Sequence, residues 1–197
     1  MLRRKLLKKL RLWPAVVLSC VAVHAHAAEV RDVGVRRQGA TFVISMHLAI
    51  DAPAPAVFRA LQDYAAMARF NPDLRAVRVE PTKAPDRMRL FTTIHTCVLV
   101  FCKTMHQEQI MTANATANGG VLDAELVNGD FKAGHGRWLV RPCQTPGART
   151  CMDVRIELVP AFWVPPVIGP WVMRRKMVEE ARRTSAGLER TALALSH

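Results

Sequence analysis

Four histidines, two carboxylates and one arginine are the side chains of this sequence best suited to acid–base chemistry. His95 and His106 flank a predicted hairpin and could face each other, so that a histidine pair with Glu108 could exchange protons with a substrate. A histidine hydrogen-bonded on a strand surface explains the same pattern. No Ser-His-Asp or Cys-His spacing is present, so we assign no catalytic residue. The full set is His47, His95, His106, His135, Glu108, Asp130 and Arg137.

The cysteines offer a second kind of chemistry. Beyond Cys20 there are four, spaced C-x4-C (Cys97, Cys102) and C-x7-C (Cys143, Cys151), and neither spacing matches a common zinc ribbon. We predict two disulfides, for which three connectivities are possible. The pairs Cys97–Cys102 and Cys143–Cys151 are preferred, because each flanks a short segment that could form a hairpin turn. We expect no metal and no cofactor.

Residues 1–27 have the pattern of a secretory signal. A basic stretch up to Arg11 precedes an apolar stretch over residues 12–23, and the small-x-small pattern ending at Ala27 predicts cleavage there. The apolar stretch is short for a membrane span. Alternatives are an uncleaved membrane anchor and a lipoprotein acylated at Cys20. We therefore expect an exported, periplasmic protein.

The charge of the chain is concentrated at its ends. The formal net charge is +12, but six of the 28 basic residues lie within 1–27, which hold no acidic residue, so the remaining chain carries 22 basic and 16 acidic residues. An exported chain without a recognition motif is not expected to bind nucleic acid. The basic residues near the C-terminus could instead contact an anionic membrane.

The order of predicted elements indicates one α+β domain over residues 41–197, preceded by a polar lead-in over 28–40. A strand over 41–50 precedes two short helices, the second starting near Asp63 and ending at Asn71-Pro72. About six strands then follow as far as Leu158, separated by glycine-type turns. Alternation is cleanest over 151–158, where one side of the strand is expected to face water.

A long helix over residues 172–195 ends the chain. Apolar or small residues recur every three or four positions on one face, and arginines and a lysine occupy the other. Such a helix would be roughly 35 Å long at 1.5 Å per residue and needs a large apolar surface to lie on. We predict a curved antiparallel sheet of about six or seven strands around this helix, with a cavity between them.

Three stretches of the sequence carry a resemblance to a known superfamily. They are residues 52–58 through Asp63-Tyr64 to Asn71-Pro72, the stretch 129–132 (Gly-Asp-Phe-Lys) followed by 136–138 (Gly-Arg-Trp), and the stretch 165–169 (Pro-Pro-Val-Ile-Gly) before the basic helix. In this order they resemble the START-like helix-grip (SRPBCC) superfamily, and within it the polyketide cyclase and coenzyme Q-binding proteins of the START type. The signal and the four cysteines depart from cytosolic and mitochondrial relatives, so the chain resembles an exported member of this branch.

The resemblance implies a deep cavity that holds a hydrophobic small molecule, such as a lipid or an isoprenoid quinone. We expect a monomer that binds and carries this ligand. The alternatives are a cyclase- or hydrolase-type enzyme that uses His95, His106 or Glu108, and an envelope protein-interaction module. The residues expected to line the cavity are Phe70, Phe91, Ile94, Met111, Leu126, Trp138, Val154, Trp163, Met173 and Met177.

Access to the cavity is expected at three loops. These are the segment around Asn71-Pro72, the apolar turn at 98–100, and the segment 162–170 before the long helix. An apolar turn with Leu99 and Phe101 at its tip fits contact with a membrane, although a buried edge of the core explains it equally well.

Overall fold

The computed structural model describes residues 28–144, 149–164 and 169–196. The predicted signal over 1–27, with Cys20 and the cleavage position, lies outside the described residues, as does 165–168. Among the described helices, none is long and apolar enough to cross a membrane. The elements in chain order are β1 (Glu29–Gln38), β2 (Thr41–Ile50), α1 (Ala54–Leu61), a 3-10 turn (Tyr64–Ala66), α2 (Met67–Phe70), β3 (Leu74–Pro81), β4 (Arg87–Val98), β5 (Phe101–Thr116), β6 (Gly119–Gly129), β7 (Phe131–Pro142), β8 (Thr150–Pro160) and α3 (Pro170–Ala194).

The strands form a single antiparallel sheet in the order β1-β2-β8-β7-β6-β5-β4-β3. The expected α+β fold with a long C-terminal helix is confirmed, but the sheet has eight strands rather than six or seven. The additional strand is β1, in the stretch 28–40 that the sequence analysis treated as a lead-in. Val33 and Val35 of β1 are buried, while the residues around them are mostly charged or polar, which hid the alternation.

Alternation along the strands divides the sheet into an inner face, which packs against α1 and α3, and an outer face. The pairing of β2 with β8 shows the division, because Leu48 lies opposite Met152 and Met46 lies opposite Val154 on the inner face. His47 and Asp153 lie opposite each other on the outer face. Side chains of directly paired residues share one face, so the register assigns a face to every strand residue.

The core lies toward one end of the sheet, which we call the closed end. Here α1 and the C-terminal half of α3 cover the inner face, and Ile50, Phe58, Leu122 and Leu188 are almost completely buried. The opposite end, called the open end, carries the β4–β5 and β6–β7 turns and the point where β8 ends. The N-terminus of α3 also lies at this end, since Lys176 pairs with Asp73 beside the start of β3.

Local sequence signals explain where the helices begin and end. Asp63 caps the 3-10 turn, since its carboxylate accepts a hydrogen bond from the backbone N–H of Ala66 at 3.1 Å. Pro72 follows directly on α2 and its C-cap, Asn71, which has extended backbone geometry. Pro170 occupies the first turn of α3, where no backbone N–H is needed.

Helix α3 is held on both sides by the two edge strands. On one side, Arg174 Nε donates to the carbonyl oxygen of Val33 in β1 at 2.6 Å. On the other, Lys176 Nζ lies 3.0 Å from Asp73 Oδ2, immediately before β3. The sheet therefore curves around the helix until both of its edges contact it.

Two disulfides close opposite ends of the fold. Cys97–Cys102 joins β4 to β5 beside their turn at the open end, and Cys143–Cys151 joins the residue after β7 to β8 at the closed end. These are the pairings that the sequence analysis preferred. Each links strands that are already neighbours, so the disulfides reinforce the turns rather than create the topology.

The single tyrosine, Tyr64, should ionise unusually late. It is 5% exposed, and burial raises the pKa of Tyr64 from 10.0 to about 12. The unfolded chain loses this proton near pH 10 while the folded chain keeps it. The free energy of unfolding should therefore fall by about 1.4 kcal/mol per pH unit between these two values. Tyrosinate absorbance during an alkaline titration reports the midpoint directly.

The variant Tyr64→Phe is the control for this titration. It should lose that part of the pH slope in denaturant unfolding and otherwise remain folded. A tyrosinate midpoint near pH 10 in protein that is still folded would show that the ring is not buried as described.

Candidate functional site

The inner face of the sheet changes from buried to half-exposed toward the open end. Near the closed end Leu48, Leu122 and Met152 are at most 4% exposed. Toward the open end, apolar side chains that point inward from β4, β6, β7, β8 and α3 are only partly covered. We call these residues the cavity mouth, after the cavity predicted between the sheet and α3: Ile94, Leu126, Trp138, Ile156, Met173 and Met177.

Two glycines of β7 shape the cavity mouth. A Cβ atom on Gly136 would lie 2.7 Å from Cη2 of Trp138, and one on Gly134 would lie 2.9 Å from Cδ2 of Leu158. Contacts this short do not occur, so any other residue would displace these side chains. The glycines thus let the indole of Trp138 lie back along β7 toward the open end.

Polar side chains occupy the inner face beside the cavity mouth. Thr92 of β4 lies opposite Gln107 of β5, and each is 8% exposed. The side-chain amide of Gln109 donates to Oε1 of Gln107. The hydroxyl oxygen of Thr92 has no hydrogen-bond partner among the described residues, although it is buried. A buried polar group without a partner is costly, which makes this patch unusual for a core.

A second polar group on the inner side belongs to α3. Lys176 Nζ lies 3.0 Å from Asp73 Oδ2 and 2.9 Å from Glu180 Oε1, and Thr96 Oγ1 donates to Asp73 Oδ2 at 2.5 Å. Burial acts to lower the pKa of Lys176, but the hydrogen bonds and charges of Glu180 and Asp73 outweigh it and raise the pKa. The lysine therefore stays a cation that connects α3 to the start of β3.

The predicted cavity residues divide into three groups. Five of them, Ile94, Leu126, Trp138, Met173 and Met177, are partly exposed and point inward. That these five line a ligand cavity stays a prediction. Met111 and Val154 also point inward but are 3% exposed, deep in the core. Their role in ligand binding stays a prediction.

Two of the remaining predicted cavity residues, Phe91 and Trp163, lie elsewhere, and the side chain of Phe70 lies outside the described part of the structure. Phe91 is on the outer face, opposite Glu108, with the guanidinium carbon of Arg78 3.8 Å from its ring centroid. Trp163 is 73% exposed in the segment after β8, and Phe70 ends α2. Phe91 faces outward because Leu90 and Thr92, its neighbours in β4, point inward.

The acid–base candidates of the β4–β5 hairpin also lie on the outer face. His95 Nδ1 is 2.9 Å from Thr104 Oγ1, and His106 Nδ1 is 3.2 Å from Thr93 Oγ1. His106 and Glu108 line an open outer groove of about 500 Å³ that Phe91 also lines. These side chains therefore point away from the cavity mouth.

The other polar candidates form outer-face contacts as well. His47 Nδ1 lies 2.7 Å from Asp153 Oδ1, and Asp130 Oδ2 accepts from the backbone N–H of His106 at 2.7 Å. Arg137 Nη1 lies 3.3 Å from Asp123 Oδ1, and His135 Nε2 lies 3.9 Å from the same oxygen.

One group of potential metal ligands occurs in the described part of the chain. Nitrogen and sulfur atoms of His95, Cys97 and Cys102 lie within 4.8 Å of one another. The two sulfurs are joined in a disulfide. Metal binding by cysteine requires thiolates, so this group is not a ligand set in the oxidised protein.

Sequence reasoning missed the polar residues of the inner face, namely Thr92, Gln107, Gln109 and Glu180. For Gln107 and Gln109, the alternation of residues along β5 contained a signal that could have found them. Gln107 and Gln109 share the parity of Met105 and Met111, which predicts the same face for all four.

The curved sheet, the enclosed helix and the partly open inner face define a helix-grip domain of the START-like superfamily. The sequence profile of the family described as "Polyketide cyclase / dehydrase and lipid transport" matches residues 50–184, more than half of the chain. The protein therefore belongs to this family. None of the curated protein sequences compared with it is significantly similar.

Solved structures share this fold at low sequence identity. A STAR-related lipid transfer protein from Xanthomonas axonopodis is 14% identical, with a TM-score of 0.62 over 84% of this chain and 98% of that one. A START superfamily protein from Mycobacterium smegmatis is 17% identical, with a TM-score of 0.53 over 78% and 98%. The Zhui aromatase/cyclase from Streptomyces sp. R1128 is 13% identical, with a TM-score of 0.53 over 79% and 93%.

Removing the lysine that connects α3 to β3 should destabilise the fold. Lys176→Met leaves Asp73, 18% exposed, without its cation, and leaves Glu180, 13% exposed, with the more distant Arg183 Nη1 at 3.8 Å. We expect the free energy of unfolding to fall by about 1–3 kcal/mol, measured by denaturant titration. The neighbouring exposed substitution Arg175→Met is the control and should change stability by less than about 0.5 kcal/mol. Equal stability of the two variants would contradict the role of Lys176.

Proposed function

We propose that this protein binds a hydrophobic small molecule, of lipid or isoprenoid quinone type, between the sheet and α3, and sequesters or carries it in the cell envelope. The observation that carries this proposal is the cavity mouth, a set of inward-facing apolar side chains that the fold leaves half-exposed. A folded core normally buries such residues. An apolar ligand would remove them from water, which contributes about 25 cal/mol per Å² before ordering costs.

The family and the fold support this proposal. The family description includes lipid transport, and one similar structure is named as a lipid transfer protein. Another is named as an aromatase/cyclase, so relatives with this fold also include an enzyme.

An envelope location has its own support. Two disulfides are present in the described residues, and structural disulfides form and persist in oxidising compartments. The secretory pattern of residues 1–27 indicates the same destination.

The enzyme alternative receives less support. His95, His106 and Glu108 face away from the cavity mouth, as their pairing with outer-face residues shows. The ionisable groups beside the mouth are Lys176 and Glu180, which are bound to each other in an ion pair. Binding without turnover is therefore the better interpretation.

A substitution that fills the cavity mouth tests ligand binding. Met177→Trp places an indole on the inward face of α3. It should lower affinity for the uncharged fluorescent probe N-phenyl-1-naphthylamine about tenfold, because the indole would occupy the volume in which the probe binds. Leu193→Trp adds the same group on the exposed side of the same helix and should leave affinity unchanged. Similar affinities for the two variants and the wild type would exclude binding at the mouth.

We also propose that the open end docks on an anionic membrane. The β4–β5 turn presents Leu99 and Val100, which are 67% and 86% exposed, and Trp163 is 73% exposed in the segment that leaves β8. Leu99 has a φ of 58°, a conformation that costs a non-glycine residue about 1–2 kcal/mol. A strained turn with an apolar tip is unfavourable in water and fits insertion into lipid.

Cationic groups at this end and along α3 indicate that the partner of this surface is anionic. The ammonium of Lys103 lies 4.5 Å from the ring centroid of Phe162, which in turn packs edge-on against Phe131. An open groove of about 560 Å³ on α3 is lined by Trp171 and by Arg174, Arg175, Arg182 and Arg183, among others. Each cation near an anionic surface contributes about 1 kcal/mol.

Removing the exposed apolar side chains at the β4–β5 turn tests membrane docking. Leu99→Gly with Phe101→Ser removes two exposed apolar side chains and relieves the strained turn, so stability should be maintained. Binding to vesicles containing phosphatidylglycerol should fall at least about tenfold in a sedimentation assay. Leu139→Ser, on the outer face away from this end, should bind like the wild type. Unchanged binding by the double variant would exclude the tip as the docking element.

A further inference from the structure

We propose that Thr92, Gln107 and Glu180 form a polar subsite at the deep end of the cavity mouth, which binds a neutral, hydroxyl-bearing headgroup of the apolar ligand. This inference depends on the proposed ligand-binding function and adds the chemistry of the ligand's polar end. It follows from buried polar atoms that the fold places beside the mouth and leaves without partners.

Thr92 is the clearest of these groups. It is 8% exposed, it points inward from β4 two residues deeper than Ile94 of the cavity mouth, and its hydroxyl oxygen has no partner in the described part of the chain. The opposite residue, Gln107, is equally buried and is held in place by Gln109. A solid apolar core gains nothing from this patch, whereas a ligand with a polar end would satisfy it.

Glu180 supplies an acceptor from the helix side. It lies on the face of α3 that also carries Met173, Met177 and Thr184, three and four residues apart. Its Oε1 is 2.9 Å from Lys176 Nζ and 3.8 Å from Arg183 Nη1. Its Oε2 is inaccessible to water and has no hydrogen-bond partner among the described residues.

The relative positions of the two groups set the size of the headgroup. Asp73 bonds both Thr96 and Lys176, so the ends of these two side chains meet, and we take their meeting point as the common reference for depth. Going deeper, Thr92 is four strand residues from Thr96, and Glu180 is four helix residues from Lys176. At about 3.3 and 1.5 Å per residue the two groups differ in depth by roughly 7 Å. A small polyol such as a glyceryl group spans this distance.

The kinds of atoms present set the charge of the headgroup. Glu180 Oε2 requires a donor, and the Thr92 hydroxyl can donate or accept. A hydroxyl group satisfies both. A carboxylate would repel Glu180, and an ester has no donor for it, so both should bind less tightly than a polyol with the same chain.

Three ligands with one oleoyl chain test this subsite: monoolein, methyl oleate and oleate. Each is titrated against bound N-phenyl-1-naphthylamine on the full mature protein. We expect monoolein to displace the probe at a concentration at least about tenfold lower than the other two. In Thr92→Val and in Glu180→Gln this preference should fall to about threefold or less, through weaker binding of monoolein and not of methyl oleate.

The matched control is Thr93→Val, because Thr93 is the next residue of β4 and lies on the outer face beside His106. It should keep the full preference for monoolein. Thr92→Val should also unfold at a temperature no lower than the wild type, since it removes a buried hydroxyl without a partner.

The outcomes separate this inference from the proposed function. If the three ligands displace the probe equally, or if Thr92→Val and Glu180→Gln keep the preference, the subsite is wrong while binding at the mouth stands. Displacement by oleate at the lowest concentration also overturns the subsite. If the probe does not bind, or binds Met177→Trp as well as the wild type, the proposed function fails and the subsite fails with it.

Discussion

The attachment of α3 to both edges of the sheet is the constraint on which this structure depends. An eight-stranded antiparallel sheet twists, and here it curls until β1 and β3 both reach the same helix. Arg174 binds the backbone of β1 and Lys176 binds Asp73 beside β3. The helix thus packs along β1 at one edge of the sheet and is joined through Asp73 to the start of β3 at the other. The face of α3 between these two attachments, with Met177 near its centre, has to point into the space that the sheet encloses.

The same attachment explains why polar residues occur inside. Lys176 reaches Asp73 from α3 with its side chain 18% exposed, and burial of an ammonium group requires paired acidic groups. Glu180 meets that requirement with one oxygen, and its second oxygen is then left in a place that water does not reach. Across the enclosed space Thr92 is in a similar position. The polar lining is therefore tied to the way the helix is held, and the headgroup that we propose would complete its hydrogen bonds.

Sequence reasoning succeeded where one periodicity dominated and failed where two elements had to be combined. In β8, apolar residues alternate with charged residues from Met152 onward. The sequence therefore predicted both the strand and the face on which each residue lies. In β4, Leu90, Phe91 and Ile94 are apolar at both parities, and only the pairing with β5 decides that Phe91 faces outward. Strand β1 was missed because an edge strand keeps charged residues and shows only Val33 and Val35 as core positions. Predicting the proposed polar subsite would have required the pairing register of β4 with β5 and the position of α3 relative to them. No local sequence pattern contains either.

The distribution of burial along α3 indicates where the enclosed space can open. The C-terminal half of the helix buries Leu188 and Ala192 completely against α1 and the core. The N-terminal half, up to the buried Ala181, has half-exposed apolar contacts and is held by the polar contacts of Arg174 and Lys176. Local opening costs least where few apolar contacts are lost, so the half of α3 next to the open end is the part that can move. That half lies at the same end as the apolar tip at Leu99. A ligand released there would pass into lipid with little of its surface meeting water, which joins ligand exchange and membrane docking at one end of the fold.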